Sequence, residues 1–374
     1  MSTIRLSKSC VGEEEKLALA RVIDAGYLGM GQEVQLFENE LKTYLDTDSD
    51  VICVNTGTAA LHLALCCLDI GPGDEVLVPS ITYVASFQAI SATGAKPVAC
   101  DVSHDRVFID LLDANLRVTS KTKAIMPVHF ASDSKSMADV YEFAKCYNLR
   151  VIEDAAHGFG CKRDGRRIGS QGDVVCFSFD GIKNITSGEG GAVVTSDKEL
   201  AQRIKDARLL GVESDTEKRY KGQRSWSFDV RHQGFRYHMS NVMAAIGREQ
   251  LKKIDTFATH RKLCVAKYMD KLKAVKGLEI LQLDYANIVS HIFVVRILNG
   301  YRDSLMAELR ANNIECGLHY MPNHLLDYFS VSYALPIAEK LSGELLSLPL
   351  HCELGQEEQD KVIETILNFF NYQE

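Results

Sequence analysis

Phe177-Ser178-Phe179-Asp180-Gly181-Ile182-Lys183-Asn184-Ile185-Thr186-Ser187-Gly188-Glu189-Gly190-Gly191 is the stretch on which the reading of this chain turns. A run of β-formers, Asp173 to Phe179, delivers a lysine into a loop of glycines and small hydroxyl residues. A second apolar run, Ala192-Val193-Val194-Thr195, leaves that loop. Lys183 is thereby held between two strands. Taken alone, it is either a solvated loop residue or an amine desolvated enough to act as a nucleophile near neutral pH.

An upstream stretch, Arg150-Val151-Ile152-Glu153-Asp154-Ala155-Ala156-His157, decides between these readings. It is an apolar strand that ends in an acid followed by two small residues. The interval from Asp154 to Lys183 leaves room for a turn, a hairpin and a strand returning to the same sheet. An acid that keeps a pyridine nitrogen protonated and a lysine that forms an imine are the minimum protein equipment for pyridoxal phosphate chemistry. Ala156 leaves space for a flat ring over the strand end.

Outward from this pair the chain repeats strand and helix units. Val51–Asn55, Glu75–Pro79, Lys96–Val102, Lys123–Phe130, Arg150–Asp154, Asp173–Phe179 and Ala192–Thr195 give seven candidate strands, with helical segments such as Ser136–Asn148 between several of them. Fully apolar strands alternating with helices predict an α/β domain with a mostly parallel sheet covered on both faces. Ligands in such sheets bind at the carboxyl ends of strands, where Asn55–Thr58 and Asp154–His157 fall. Beyond Thr195 come a charged helix (Lys198–Leu210), a polar stretch (Gly211–Gln233) and a long helix (Ser240–Phe257). From about Arg261 the pattern predicts a further helix, then strands at Leu278–Leu283, His291–Ile297 and Glu315–Tyr320, and helices at Tyr301–Asn312 and Gln356–Phe370. This predicts a large domain over 1–250 and a smaller α+β domain over 251–374.

At 374 residues the chain is long enough for two domains. Its net charge of −8 provides no general basic excess for nucleic acid. Eleven cysteines scattered through apolar segments, with no apolar leader over Met1–Glu15, read as reduced thiols of a cytoplasmic protein rather than a disulfide framework. No run approaches the roughly 18 apolar residues of a membrane span.

Smaller motifs carry two readings each. Thr56-Gly57-Thr58 is either a phosphate cradle at a helix N-terminus or a tight turn capped by Thr58. Tyr83, at the start of a helix after a strand end, either stacks on a cofactor ring or belongs to the core. His319 and His324, interrupted by Pro322, have a spacing too loose for zinc, and polar contact with a ligand suits them better; no metal site is expected. Arg231, His232, Arg236 and His238 are either solvated charge or an anion site. The loop Leu28-Gly29-Met30-Gly31 is punctuation or part of a site.

Together these residues resemble the sugar-nucleotide aminotransferases of the DegT/DnrJ/EryC1/StrS family, a branch of the fold-type-I pyridoxal phosphate enzymes. The resemblance runs through Leu28–Phe37, Asn55–Leu65, Pro79–Ile90, Pro127–Phe130, Val151–Gly160, Phe177–Thr195, Met239–Leu251 and His319–Phe329. It implies that Lys183 is the imine-forming lysine and proton shuttle. It also implies that Asp154 pairs with the pyridine nitrogen, that Gly57, Thr58 and Ser178 hold the phosphate, and that Tyr83 stacks on the ring. His157 stands where the family usually has glutamine near the cofactor's O3′. Gly29, His319, Tyr320 and His324 are expected at the substrate. Family members are homodimers with shared active sites, which would bring Arg231–His238 to the partner's site.

This chain departs from the family pattern twice. Gly234-Phe235-Arg236-Tyr237-His238-Met239-Ser240 carries Arg236 where an asparagine usually touches the cofactor phosphate across the interface. Ala131-Ser132-Asp133-Ser134 stands where a glycine-containing turn is usual after Pro127-Val128-His129. The expected reaction is amino transfer from L-glutamate to C4 of dTDP-4-keto-6-deoxy-D-glucose, giving dTDP-4-amino-4,6-dideoxy-D-glucose. The expectation rests on Glu315–Leu326, which resembles members with that activity. Such a product would feed surface glycan (O-antigen, lipopolysaccharide) or antibiotic synthesis. The alternatives are a C3 or GDP-sugar aminotransferase, a related 3-dehydratase, which would carry histidine in place of Lys183, and a non-catalytic protein that kept the fold.

Overall fold

A computed structural model describes residues 3–371. Its strands are β1 (Asp50–Val54), β2 (Glu75–Pro79), β3 (Lys96–Cys100), β4 (Thr122–Ile125), β5 (Arg150–Asp154), the short hairpin β6 (Lys162–Arg163) and β7 (Arg166–Arg167), β8 (Val174–Ser178), β9 (Gly191–Thr195), β10 (Leu278–Ile280), β11 (Phe293–Ile297) and β12 (Leu345–Leu348). Seven of them form one sheet in the order β1-β9-β8-β5-β4-β2-β3. All seven expected strands are in it.

The pairs β2–β3, β2–β4, β4–β5 and β5–β8 are parallel, and β9 runs antiparallel to both β1 and β8. Side chains alternate across the sheet, as the period-2 geometry of a strand requires. Ile52, Val54, Ile152, Val174 and Val193 enter one core, while Val51, Cys53, Val175 and Val194 enter the core on the opposite face. Each face is covered by helices, so the strands read as continuous apolar runs.

The helix Gly57–Cys67 lies almost wholly buried. Its N-cap is Thr56 rather than Thr58: the Thr56 hydroxyl accepts the Ala59 N–H at 3.0 Å. The helix Asn241–Leu272 runs well past the expected end at Phe257. No glycine or proline interrupts the sequence between Phe257 and Gly277, and Arg261 and Tyr268 keep the helix's second half anchored in the interior. The expected boundary between 250 and 251 falls inside this helix.

The C-terminal part carries a three-stranded antiparallel sheet, β10-β11-β12. Its third strand is not Glu315–Tyr320. That segment is tied at one end to the N-terminal residues, where Glu315 N–H donates to the Ile4 carbonyl, and bridges β12 only through Gly317 and Ser347. Leu345–Leu348 takes the ladder position instead. Among the described residues no helix is long and apolar enough to cross a membrane, and all eleven cysteines are free.

Candidate active site

Adjacent strands β5 and β8 end side by side, with Asp154 opposite Cys176 in register, so Asp154 and Ser178 reach the same carboxyl edge. A cavity of about 500 Å³ opens there, lined among others by Gly57, Thr58, Asp154, Ser178 and Lys183. The loop that carries Lys183 is pinned on both sides of the lysine. Phe179 packs against Phe37 and Phe159 with ring centroids 5.5 and 5.3 Å away. Asn184 donates to the carbonyls of Phe159 and Val289, both at 2.9 Å.

Desolvation pushes the Lys183 amine down to about 8, against the opposing pull of Asp180 and Asp154. A substantial fraction of the amine is therefore neutral near physiological pH, as a nucleophile or general base requires. Asp154 is buried, and its carboxylate accepts from the Ser86 hydroxyl at 2.7 Å and from the Ala156 N–H at 3.2 Å. Two donors fix its orientation toward the cavity floor.

Gly57 opens the helix Gly57–Cys67 directly against β8. A Cβ at this position would stand 2.8 Å from the Ser178 Cβ, so only glycine permits the approach. The unpaired N–H groups of that first turn, with the hydroxyls of Thr58 and Ser178 beside them, form a cradle suited to a phosphate dianion.

Three histidines surround the lysine. The Lys183 Nζ is 3.4 Å from the His291 Nε2. His157 Nε2 meets the Tyr320 hydroxyl at 3.1 Å, and the His157 and His291 rings are 4.5 Å apart. His319 Nδ1 bonds the Ser347 hydroxyl at 2.7 Å. Burial and the neighbouring Lys183 hold His157 and His291 well below the usual imidazole range, and push His319 down to about 4. All three are neutral near pH 7.

Of the residues singled out in the sequence, Gly57, Thr58, Tyr83, Asp154, His157, Ser178, Lys183, His319 and Tyr320 line this cavity. Tyr83 stands at its mouth, 61% exposed, with the Tyr320 ring 5.6 Å away. Three others lie elsewhere. Gly29 is exposed, and its carbonyl accepts the Asn241 N–H. His324 is buried in the scaffold, sharing a hydrogen with the Ser80 hydroxyl at 2.6 Å and facing Glu339 at 3.3 Å. Arg236 is exposed beside Leu209, Asp215 and Arg219 in a separate surface pocket. Among the described residues, no cluster of metal-ligating groups exists.

Sequence reasoning missed His291 and Ser86. Ser86 lies in the first turn of the helix that Tyr83 precedes, on the buried side, a place next to a singled-out residue that could have found it. His291 lies two residues before β11 and reaches the lysine only through tertiary packing.

Comparison with known proteins agrees with this geometry. The family model described as the DegT/DnrJ/EryC1/StrS aminotransferase family matches residues 9–367. The aminotransferase TlmJ from Streptoalloteichus hindustanus superposes with a TM-score of 0.93 at 29% identity, covering 100% of both chains. DesV from S. venezuelae has a TM-score of 0.87 and 35% identity over 95% of this chain and 94% of its own. The curated protein MJ1066 of Methanocaldococcus jannaschii, whose function is uncharacterized, is 32% identical over 96% of this chain and 95% of its own. With a lysine and a carboxylate brought to one cavity and a family match over nearly its whole length, the chain belongs to the DegT/DnrJ/EryC1/StrS aminotransferase family.

Proposed function

We propose that this chain is a pyridoxal phosphate-dependent aminotransferase that moves the amino group of L-glutamate to C4 of dTDP-4-keto-6-deoxy-D-glucose. The observation that carries the reading is the convergence of Lys183 and Asp154 on one cavity from the ends of adjacent strands. Aminotransferases of this family use pyridoxal phosphate, and a solved neighbour of this chain is a pyridoxal phosphate form.

The residues present fit that cofactor at three points. The helix N-terminus at Gly57, with Thr58 and Ser178, suits its phosphate. Asp154, held by Ser86, suits its ring nitrogen, and the depressed amine of Lys183 suits its aldehyde. His157 would lie near the ring oxygen with its Nδ1 unpaired among the described residues. When bound, pyridoxal phosphate supplies an electron sink for the pair released at a breaking C–H bond.

The protein's part is then proton movement and orientation. Lys183, neutral and confined, takes the proton from the α-carbon of glutamate in one half-reaction. In the other it returns a proton to the sugar carbon that becomes the amine-bearing centre. Asp154, oriented by the Ser86 hydroxyl, would hold the ring nitrogen protonated. Tyr83 and Tyr320 narrow the mouth of the cavity and exclude water from the reacting face.

His319 and Tyr320 line the same cavity and belong to the segment Glu315–Leu326 that motivates the choice of sugar. In this reading residues 1–250 hold the cofactor and residues 251–374 close over the substrate. The active form is a cytoplasmic homodimer. Trp226 at 90% exposure, with Phe228, Val230 and Leu210 also exposed, offers an apolar surface for the second copy, and Arg236 lies in the same region. The test of the substrate is product NMR after incubation with glutamate and either dTDP-4-keto-6-deoxy-D-glucose or its GDP counterpart. A C4 amine on the dTDP sugar is expected; a C3 amine or turnover of the GDP sugar alone would refute it.

A further inference from the structure

Ala131 and Ser132 both sit in the left-handed region, with φ of 48° and 78°. Neither is glycine, and each such residue costs about 1 kcal/mol against the right-handed conformation. Ser132 is also fully buried, so solvent does not account for its hydroxyl.

Its contacts do. Ser132 Oγ is 2.6 Å from the His157 carbonyl and 3.0 Å from the Val289 carbonyl, to which its single hydrogen is shared. The same oxygen accepts the His291 N–H at 3.0 Å. One side chain thus joins the turn after β4, the segment leaving β5 and the segment entering β11. The imidazoles attached to two of those anchored residues approach Lys183, His291 directly and His157 beside it. A second tie closes the arrangement, since the Val289 carbonyl also receives Asn184, the neighbour of Lys183.

We propose that Ser132 is a positioning residue, whose hydroxyl fixes the backbones of His157 and His291 so that both imidazoles stand against the Lys183 amine. The inference rests on the reading of Lys183 as the reacting amine. Glycine at 132 would adopt the same φ without strain, and its absence is explained if the hydroxyl is needed there. Without the clamp the histidine walls loosen, water reaches Nζ, and the amine titrates higher. The other groups facing Nζ are Asp154 from β5, Asp180 and Glu189 from the lysine loop, and His319 and Tyr320 from the C-terminal part. None of these is bonded to Ser132.

The experiment follows Lys183 in the cofactor-free full-length protein, by acetic anhydride labelling against pH with peptide mass spectrometry, alongside the thermal midpoint. Wild type should be half-labelled near pH 8, where the amine titrates at about 8. Ser132→Gly, with its strain relieved, should keep its thermal midpoint while labelling at pH 8 falls about threefold, equivalent to an upward shift of about 0.7 pH unit. Ser132→Ala should show the same shift, because it too lacks the hydroxyl. Ala131→Gly relieves strain next door and leaves the hydroxyl, so its labelling profile should match wild type. A wild-type profile in folded Ser132→Gly, or an equal shift in Ala131→Gly, would overturn the proposal. Labelling does not require aminotransfer, so a failure of the proposed function would show separately, as a wild-type protein that gives no cofactor band.

Discussion

The amine of Lys183 stands 3.4 Å from Nε2 of His291, a residue more than a hundred positions away that shares the lysine's buried wall with His157. With its Nδ1 unpaired among the described residues and its ring neutral, the His291 imidazole has Lys183 as its hydrogen-bond partner among those residues. Replacing it by His291→Asn removes this contact while keeping a polar group. The expected result is a fall in kcat of about tenfold, the worth of one buried hydrogen bond, with KM for glutamate little changed. Steady-state kinetics at fixed pH checks this.

Lys183 also bears on stability. Its folded value of about 8 lies below the ordinary 10.5, so between these pH values the unfolded chain holds more protons than the folded one. Stability therefore rises with pH through that window, and the full penalty is present below about pH 8. Lys183→Met should abolish turnover, by about a thousandfold or more. The cofactor-free variant should be more stable than wild type by about 1–2 kcal/mol at pH 7, a figure reduced for the lysine's partial exposure. Denaturant melts at pH 7 and pH 10 test the sign, since the advantage should shrink at the higher pH.

Glu153, one residue before Asp154, points the other way into the interior. It is fully buried among His129 at 2.8 Å, Arg163 at 2.9 Å and the Tyr141 hydroxyl at 2.7 Å. These partners overcome the burial that would raise its carboxyl and hold it down at about 2. Its contribution is complete above the ordinary carboxylate value and is lost as pH falls toward 2. Glu153→Gln leaves Arg163 uncompensated and should cost about 3 kcal/mol at pH 7. Thermal melts from pH 6 to pH 3 should show a shallower acid slope for the variant than for wild type.

The large sheet was legible because each of its strands is an apolar run closed by a turn signal, and the seven runs recur at helix-length intervals. Asp154 was legible because it closes such a run, and Lys183 because it sits in the glycine-rich loop between two of them. β12 was not, because Leu345–Leu348 is a short run that gains its partner, β11, across a long stretch of intervening chain. The excess length of Asn241–Leu272 was hidden for a different reason: its polar face after Phe257 reads as a boundary, while buried Arg261 does the work of an apolar anchor. His291 and Ser132 carry no local pattern. Their roles arise from hydrogen bonds between segments more than a hundred residues apart, which no periodicity encodes. Gly29, Arg236 and His324, expected at the site, lie outside the cavity lining of the single chain.

The most direct measurement of the central claim is an absorbance spectrum of the purified protein with pyridoxal phosphate, before and after L-glutamate and then dTDP-4-keto-6-deoxy-D-glucose. The spectrum should show a band that requires Lys183, bleaches with glutamate and returns with the sugar. A protein that binds no pyridoxal phosphate, or a band that persists in Lys183→Ala, would contradict the claim.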